Sequence, residues 1–418
     1  MSFFDIDKRV LDLSERASLK IADRLAIIDS NTEYNQQKVL RAFIDNNVSE
    51  AHFGESTGYG YGDRGRETLD KVFAQSVGAE SALVRHSFAC GTHTLTVALF
   101  GLLRPGDLML SVTGTPYDTI CPSIGITGEQ GRGSLIDFGV KYAEVPLKDE
   151  KPDLEGIKDA LLKQDVKLVY IQRSRGYSLR DSLSVEEIGE IIKVTKENSN
   201  ALIMVDNCYG EFVQRSEPLA VGADIIAGSL IKNPGGGLAK NGGYIAGKEE
   251  LVELCSYRMT TPGLGSEVGA TLGMNRNLFM GLFNAPHVTG EALKTAVFTA
   301  ALFEEMGFET TPTSSQDRYD IIQALKLREP ETLINFCKGL QSGSPVDSFV
   351  VPEPWDMPGY DSKVIMAAGA FILGSSIELS ADAPLREPYA VWMQGGLNFH
   401  SAKIGILLAA QEVIKGVS

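Results

Sequence analysis

A chain of 418 residues with 43% hydrophobic and 22% charged side chains is long enough for two or three domains around a sizeable core, and this ordinary balance supports neither disorder nor membrane insertion. Its 39 basic and 54 acidic residues leave a net charge of −15, which works against non-specific attraction to nucleic acid or anionic lipid, so an anionic ligand must be captured locally. The cysteines Cys90, Cys121, Cys208, Cys255 and Cys337 are odd in number and scattered without a C-x-x-C pair; buried free thiols are expected rather than a disulfide framework or a zinc ribbon.

In chain order, the opening MSFFDIDKRVLDLSERASLK alternates apolar and charged residues without an uninterrupted apolar core. It does not read as a signal peptide, and a cytoplasmic protein is expected. Val10, Leu13, Ala17, Ile21, Leu25 and Ile28 recur at three- and four-residue steps, which predicts an amphipathic helix, and NQQKVLRAFIDNNV predicts a second. Together they form an N-terminal helical arm, residues 1–58. From about Glu67 to about Phe283, helical stretches alternate with the short apolar runs SALVR, LMLSV, KLVYI, ALIMV and ADIIAG. That alternation predicts a mostly parallel sheet with helices on both faces, an α/β domain at 59–285. NAPH, Asn284 to His287, punctuates the chain before the helical run VTGEALKTAVFTAALFEEMG, and the strand-like segments KVIMAAGAFI, SIELSA and YAVWMQ follow. They predict a smaller α+β domain at 286–418. No internal repeat or low-complexity stretch interrupts this organisation.

In such a sheet, ligands sit at the carboxyl ends of the strands, and three loops there carry chemistry. In FACGTHTLTVALFGLL, Gly91 and Thr92 open an apolar helix whose free backbone N–H groups suit a phosphate; Thr92 alone also reads as a plain N-cap. His86, Cys90 and His93 crowd the same loop, but no fourth metal ligand accompanies them, so no metal site is expected. In SVTGTPYDTI, Tyr117 follows a strand and is either a packed aromatic or a ring that lies flat on a cofactor. The third loop pairs Asp206, at the end of ALIMV, with Lys232 in GSLIKNPGGG. An amine able to form a Schiff base and a carboxylate able to keep a pyridine nitrogen protonated are the two groups that pyridoxal 5'-phosphate requires. Taken separately, they read as a helix cap and a solvated lysine. Taken together, one strand apart, they favour the cofactor.

Two further motif matches lack their context. Gly60, Gly62 and Gly65 satisfy G-x-G-x-x-G, yet SEAHFGEST before them is no buried strand. Gly242 to Lys248 fits G-x-x-x-x-G-K, but Glu249 stands where a P-loop needs a hydroxyl for magnesium.

The segments STGYGYGDRGRETL, CGTHTLTVALFGLLRPGD, TGTPYDT, IMVDNCYGEF and GSLIKNPGGG, in this order and spacing, resemble the aspartate-aminotransferase-like (fold type I) pyridoxal-phosphate enzymes. Within them, the chain is similar over nearly its whole length to the cystathionine lyase and methionine γ-lyase branch, and most of all to its aluminium-resistance subfamily. The resemblance implies that Lys232 is the Schiff-base lysine and Asp206 the partner of the pyridinium nitrogen. Gly91, Thr92 and Ser229 would hold the phosphate, and Tyr117 would stack on the cofactor ring. Tyr61 and Arg64 match a loop that reaches the phosphate of a neighbouring subunit, which implies a homodimer with shared active sites, paired into a tetramer.

Two departures stand out. Ile231 precedes the lysine where many relatives keep a Thr phosphate ligand, and YAVWMQGGLNF lacks the usual arginine for the substrate carboxylate. Arg386 in ADAPLREPY is the substitute, because a bidentate guanidinium suits a carboxylate, although a surface arginine is the alternative reading. Arg173 and Arg175 in IQRSRGYS are held in reserve. The expected function is a carbon–sulfur lyase acting on a sulfur-containing amino acid, with Lys232 taking the α-proton and, by resemblance, Tyr117 or Tyr61 protonating the departing sulfur. The alternatives are another pyridoxal-phosphate enzyme, such as an aminotransferase, or a catalytically idle binding protein on the same fold.

Overall fold

Apolar runs bounded by turn residues become strands buried on both faces. The computed structural model describes residues 3–356 and 362–417. Its larger sheet holds β1 Ser81–Arg85, β2 Leu108–Ser111, β3 Lys141–Glu144, β4 Leu168–Gln172, β5 Leu202–Asp206, β6 Ile225–Ser229 and β7 Gly243–Gly247, in the order β1-β7-β6-β5-β4-β2-β3. Strands β3, β2, β4, β5 and β6 run parallel; β7 pairs antiparallel with both β6 and β1. The smaller sheet is antiparallel throughout. It holds β8 Glu309–Thr311, β9 Gln323–Lys326, β10 Val364–Ala368, β11 Ser380–Pro384 and β12 Ala390–Gln394, in the order β10-β11-β12-β9-β8. The fold is therefore the expected α/β architecture, a large, mostly parallel sheet and a smaller α+β part.

The chain divides into two compact units, one of Asn35–Asn284 and one of Met1–Tyr34 with Ala285–Ser418. The first contains the larger sheet, whose core gathers Leu83, Leu99, Met109, Leu168, Met204 and Ile245 with the apolar face of the helix Gly91–Leu102. The second contains the smaller sheet and the helices Pro330–Ser342 and Phe399–Val417, which pack on one another. There, Gly339 approaches the backbone of Ala409 so closely that an added Cβ would lie 2.5 Å from its Cα.

Several boundaries differ from the sequence expectations. NAPH does not stop the chain, because the helix Asn275–Glu305 runs straight through it with Pro286 inside. Proline removes one N–H from the ladder, and the apolar residues Leu278, Phe279, Leu282, Ala285 and Val288 on either side are buried. The expected second helix merges into Ala22–Asp45, which has no Gly or Pro to end it. SIELSA contributes only its last two residues to β11. KVIMAAGAFI is a strand only as far as Ala368.

The helix Gly91–Leu102 packs on the helix Glu249–Met259, and a Cβ added at Gly101 would fall 2.9 Å from Cys255 Cα, which is backbone and cannot swing away. Gly101→Val should therefore destabilise the fold by about 1–3 kcal/mol through overpacking. A urea midpoint at or above that of the parent would show that the two helices separate at no cost.

Candidate active site

Asp206 is the last residue of β5, level with Gln172 of β4 and Ala227 of β6. It is buried, and both its oxygens are used. Tyr170 in the middle of β4 donates its hydroxyl to Oδ2 at 3.3 Å, and the Cys208 backbone N–H donates to Oδ1 at 3.1 Å. Burial, and after it the nearby Asp206, push the Tyr170 phenol well above its ordinary range, so it stays a donor.

One strand over, β6 ends at Ser229 and the following turn delivers Lys232. Its ammonium sits over the Tyr209 ring, 3.8 Å from the centroid, a cation–π geometry favoured by low local polarity. Burial opposes the charge. The acidic groups Cys208, Tyr209, Asp206 and Glu211, in their ionised forms, outweigh it and hold the lysine above its ordinary value. Cys208 itself is driven up, first by burial, so at neutral pH it is a thiol; Glu211 is likewise pushed up to about 8, and the negative charge facing Lys232 resides on Asp206.

Asn233, next in the chain, donates its amide to the carbonyls of Tyr209 and Glu211 at 3.0 Å each, tying the lysine loop to the loop after β5. That second loop takes an unusual path, with Tyr209 and Phe212 both at positive φ, 71° and 60°. It is pinned from beneath. Arg173, fully buried, donates to Asn207 Oδ1 at 2.8 Å, Gly210 O at 2.9 Å and Gln214 Oε1 at 3.0 Å and pairs with Glu217 at 3.5 Å, while Glu217 also accepts from Asn207 Nδ2 and Phe212 N at 2.9 Å each. The Arg173 guanidinium is thus engaged by the scaffold and holds this loop. Arg175 is buried too. Its Nη2 stands 3.6 Å from Asp181, and its backbone N–H donates to Ser182 Oγ at 3.1 Å.

The start of the helix Gly91–Leu102 meets the end of β6. A Cβ on Gly91 would lie 3.2 Å from that of Ser229 and 4.0 Å from Cys208 Sγ. The Thr92 hydroxyl is 2.7 Å from that of Thr119. Ser229 Oγ is buried without a hydrogen-bond partner. A spare buried hydroxyl beside the amides of a twelve-residue helix is a donor set for a phosphate. With Asp206 at the end of β5 and Lys232 after the adjacent β6, these residues fit pyridoxal phosphate. Tyr117 is half-buried after β2. Its backbone N–H donates to Gln172 Oε1 at 2.7 Å, and its ring lies 5.9 Å from that of Tyr177.

Tyr61 and Arg64 belong to the same unit but point outward. Tyr61 is 60% exposed and stacks on Tyr59 at 5.6 Å; Arg64 is exposed at the start of the helix Arg64–Val77. Their loop is held by Arg66, which donates to the carbonyls of Gly60, Gly269 and Glu267, and by Asp63, which caps that helix at the Arg66 N–H and accepts from Ser56 and Thr271. Arg386, in the other unit, is exposed in the turn between β11 and β12. His86 Nε2 lies 2.8 Å from the Ala270 carbonyl, and His93 Nδ1 accepts from the Ala89 N–H. Among the described residues no group of three or more His, Cys, Asp or Glu is arranged to hold a metal ion, and no helix is long and apolar enough to cross a membrane.

The architecture is that of the fold type I pyridoxal-phosphate-dependent enzymes. The pyridoxal-phosphate-dependent protein YhfS of Escherichia coli superposes with a TM-score of 0.64 over 93% of this chain and 97% of its own at 16% identity, a likeness of fold alone. A sequence model of the methionine gamma-lyase family matches residues 10–414, and the chain belongs to that family of enzymes. A carbon-sulfur lyase involved in aluminum resistance from Clostridium novyi NT has the same structure, with a TM-score of 0.94, 52% identity and coverage of 97% of this chain and 96% of that one. The uncharacterized protein YnbB of Bacillus subtilis (strain 168) is 48% identical over 390 residues, 93% of this chain and 92% of its own. The L-methionine gamma-lyase of Pseudomonas putida is 27% identical over 220 residues, 52% of this chain and 49% of that protein.

Proposed function

We propose that this enzyme is a pyridoxal-phosphate-dependent carbon–sulfur lyase acting on a sulfur-containing amino acid, of the cystathionine β-lyase or methionine γ-lyase type. The observation that carries the reading is Lys232, a buried amine among carboxylates, next to the unpartnered hydroxyl of Ser229 and the helix start at Gly91. The names carried by the relatives favour carbon–sulfur cleavage over other reactions of the class.

In this reading Lys232 anchors the cofactor, and Gly91, Thr92 and Ser229 hold its phosphate. Asp206 faces the ring nitrogen with its charge, and Tyr117 covers the ring. When bound, the cofactor supplies an acceptor for the electrons released at the substrate α-carbon. Lys232 Nζ would be the base that takes the α-proton. Tyr117 or Tyr61 delivers a proton to the departing sulfur. Arg386 pairs with the substrate carboxylate, since a buried carboxylate needs a cation and a guanidinium can bind it with two parallel hydrogen bonds. Tyr61 and Arg64, exposed in the single chain, complete the site of a neighbouring copy in a homodimer, two of which make a tetramer.

Borohydride treatment of the cofactor-loaded protein, followed by peptide mapping, should place the cofactor covalently on Lys232, and sulfur amino acids should yield keto acid, ammonia and thiol. Attachment to another lysine, or loading without release of thiol from any sulfur amino acid, would overturn the reading.

Arg386→Ala should raise KM by an amount equivalent to about 2–5 kcal/mol with little change in cofactor absorbance. An unchanged KM across several amino acids removes Arg386 from the site.

Mixing inactive Lys232→Ala with inactive Arg64→Ala protein should restore activity as subunits exchange, because a mixed dimer carries one site with both lesions and one with neither. Verified heterodimers that stay inactive would rule out the shared site.

A further inference from the structure

Glu211 and Arg66 are buried ionisable groups that the reaction described above does not use. Glu211 is served inside the sheet. Its Oε1 accepts a 2.7 Å hydrogen bond from the Tyr244 hydroxyl, and Gly228 of β6 leaves them room, since a Cβ there would fall 2.6 Å from Glu211 Oε1 and 2.8 Å from that hydroxyl. Arg66, 1% exposed, serves a loop instead. Its Nη1 donates to Gly60 O at 2.8 Å and to Gly269 O at 2.7 Å, and Nη2 donates to Glu267 O at 3.1 Å. One guanidinium thus grips two segments of chain that are far apart in sequence.

Those segments are also joined to each other. The Gly269 N–H donates to Tyr59 O at 2.9 Å and the Leu272 N–H to Ser56 O at 3.1 Å, while the Ser56 N–H donates to Thr271 Oγ1 and the Thr271 N–H to Ser56 Oγ, at 3.1 Å each. Asp63 fastens the far end. Its Oδ1 accepts the Arg66 N–H at 2.9 Å, and its Oδ2 accepts the hydroxyls of Ser56 and Thr271. The G-x-G-x-x-G match has its use here. A Cβ on Gly60, at φ 64°, would fall 2.8 Å from Ala270 N, and one on Gly65 would overlap the His52 carbonyl and Asn275 Nδ2, so these glycines let the two segments touch.

Tyr61 and Arg64 stand between the fastened points. Both are exposed, and neither side chain makes a hydrogen bond or ion pair with a described residue. A buried guanidinium bonded to carbonyls carries a desolvation cost that an apolar side chain would avoid. It does what an apolar side chain cannot, which is to fix three carbonyls of an irregular backbone at once. We propose that Arg66, with Asp63, is a positioning residue for the active site of the neighbouring copy, holding the backbone from which Arg64 and Tyr61 project. This rests on the reading of those two residues as parts of a shared site. A loop ordered in advance loses less freedom when its arginine meets a phosphate.

Dimers of two differently tagged copies test this, with borohydride labelling of Lys232 followed against pyridoxal phosphate concentration, because only a copy that keeps Lys232 is labelled there. Arg66→Lys keeps the charge and loses the planar fork. Placed in a Lys232→Ala copy opposite a wild-type copy, it should raise the half-saturating concentration on the order of tenfold, the loss of about one hydrogen bond to a charged group. Placed in the copy that keeps Lys232, opposite a Lys232→Ala copy with an intact loop, it should leave that concentration where the Lys232→Ala and wild-type pair sets it. Asp63→Asn still caps the helix, but its amide cannot accept the hydroxyls of Ser56 and Thr271; it should give the same pattern and carries the test if Arg66→Lys does not fold. A loss confined to the copy that bears the substitution, or no loss in either arrangement, overturns the proposal. Arg64→Ala in the same two arrangements tells the failures apart: if it acts on the opposite copy, the shared-site reading survives, and if it acts only on its own copy, or the tagged copies never pair, both fall.

Discussion

A lysine ammonium removed from water is the constraint on which the rest of the pocket depends. Desolvating one charge in a low-dielectric interior costs several kcal/mol unless opposite charge lies close by. Here the compensation comes first from Asp206, with the face of the Tyr209 ring beneath. None of these contacts is local to the lysine. Adjacent parallel strands β5 and β6 end at nearly the same level, with Asp206 opposite Ala227, so a sheet built for packing also sets the depth of the two charged groups. The helix start at Gly91 closes the same end of the sheet and brings donors where an anion can use them.

The loop between those strands carries strain that its supports must offset. Tyr209 and Phe212 occupy a backbone region that side chains other than glycine adopt at a cost of about 1–3 kcal/mol each. Arg173, Glu217, Asn207 and Asn233 hold them there through buried hydrogen bonds, four side chains that touch the loop from different directions. The result is that the ring under the lysine is aimed by the scaffold rather than by its own preference.

Much of this was legible in the sequence, for physical reasons that also explain the gaps. SALVR, LMLSV, KLVYI and ALIMV read as strands because both faces are buried, so the apolar run is continuous. KYAE is an edge strand with exposed and half-buried positions and carries no such run. GYIAG is flanked by glycines and enters antiparallel, where no periodicity announces it. Asp206 and Lys232 follow runs that read as strands, and the structure places them after the adjacent strands β5 and β6. The Glu211 contact with Tyr244 was not legible, since it joins residues far apart in the chain through a geometry that only the folded sheet creates. Arg173 is bonded to the loop after β5, and a buried arginine that serves the backbone has the same sequence context as one that serves a ligand.

Gly228 ties these threads to inheritance. It lies on β6, its would-be Cβ collides with both Glu211 and Tyr244, and those two residues come from a loop and a strand on either side of it. Three separated positions therefore behave as a single character. A lineage that enlarges residue 228 has to displace both the carboxyl and the phenol in the same step, and one that loses the acid alone still keeps the Tyr244 ring against residue 228. Across descendants of this chain the triplet should be kept or lost as a whole, and a mismatched set marks a pocket whose charge has been rebuilt by other means.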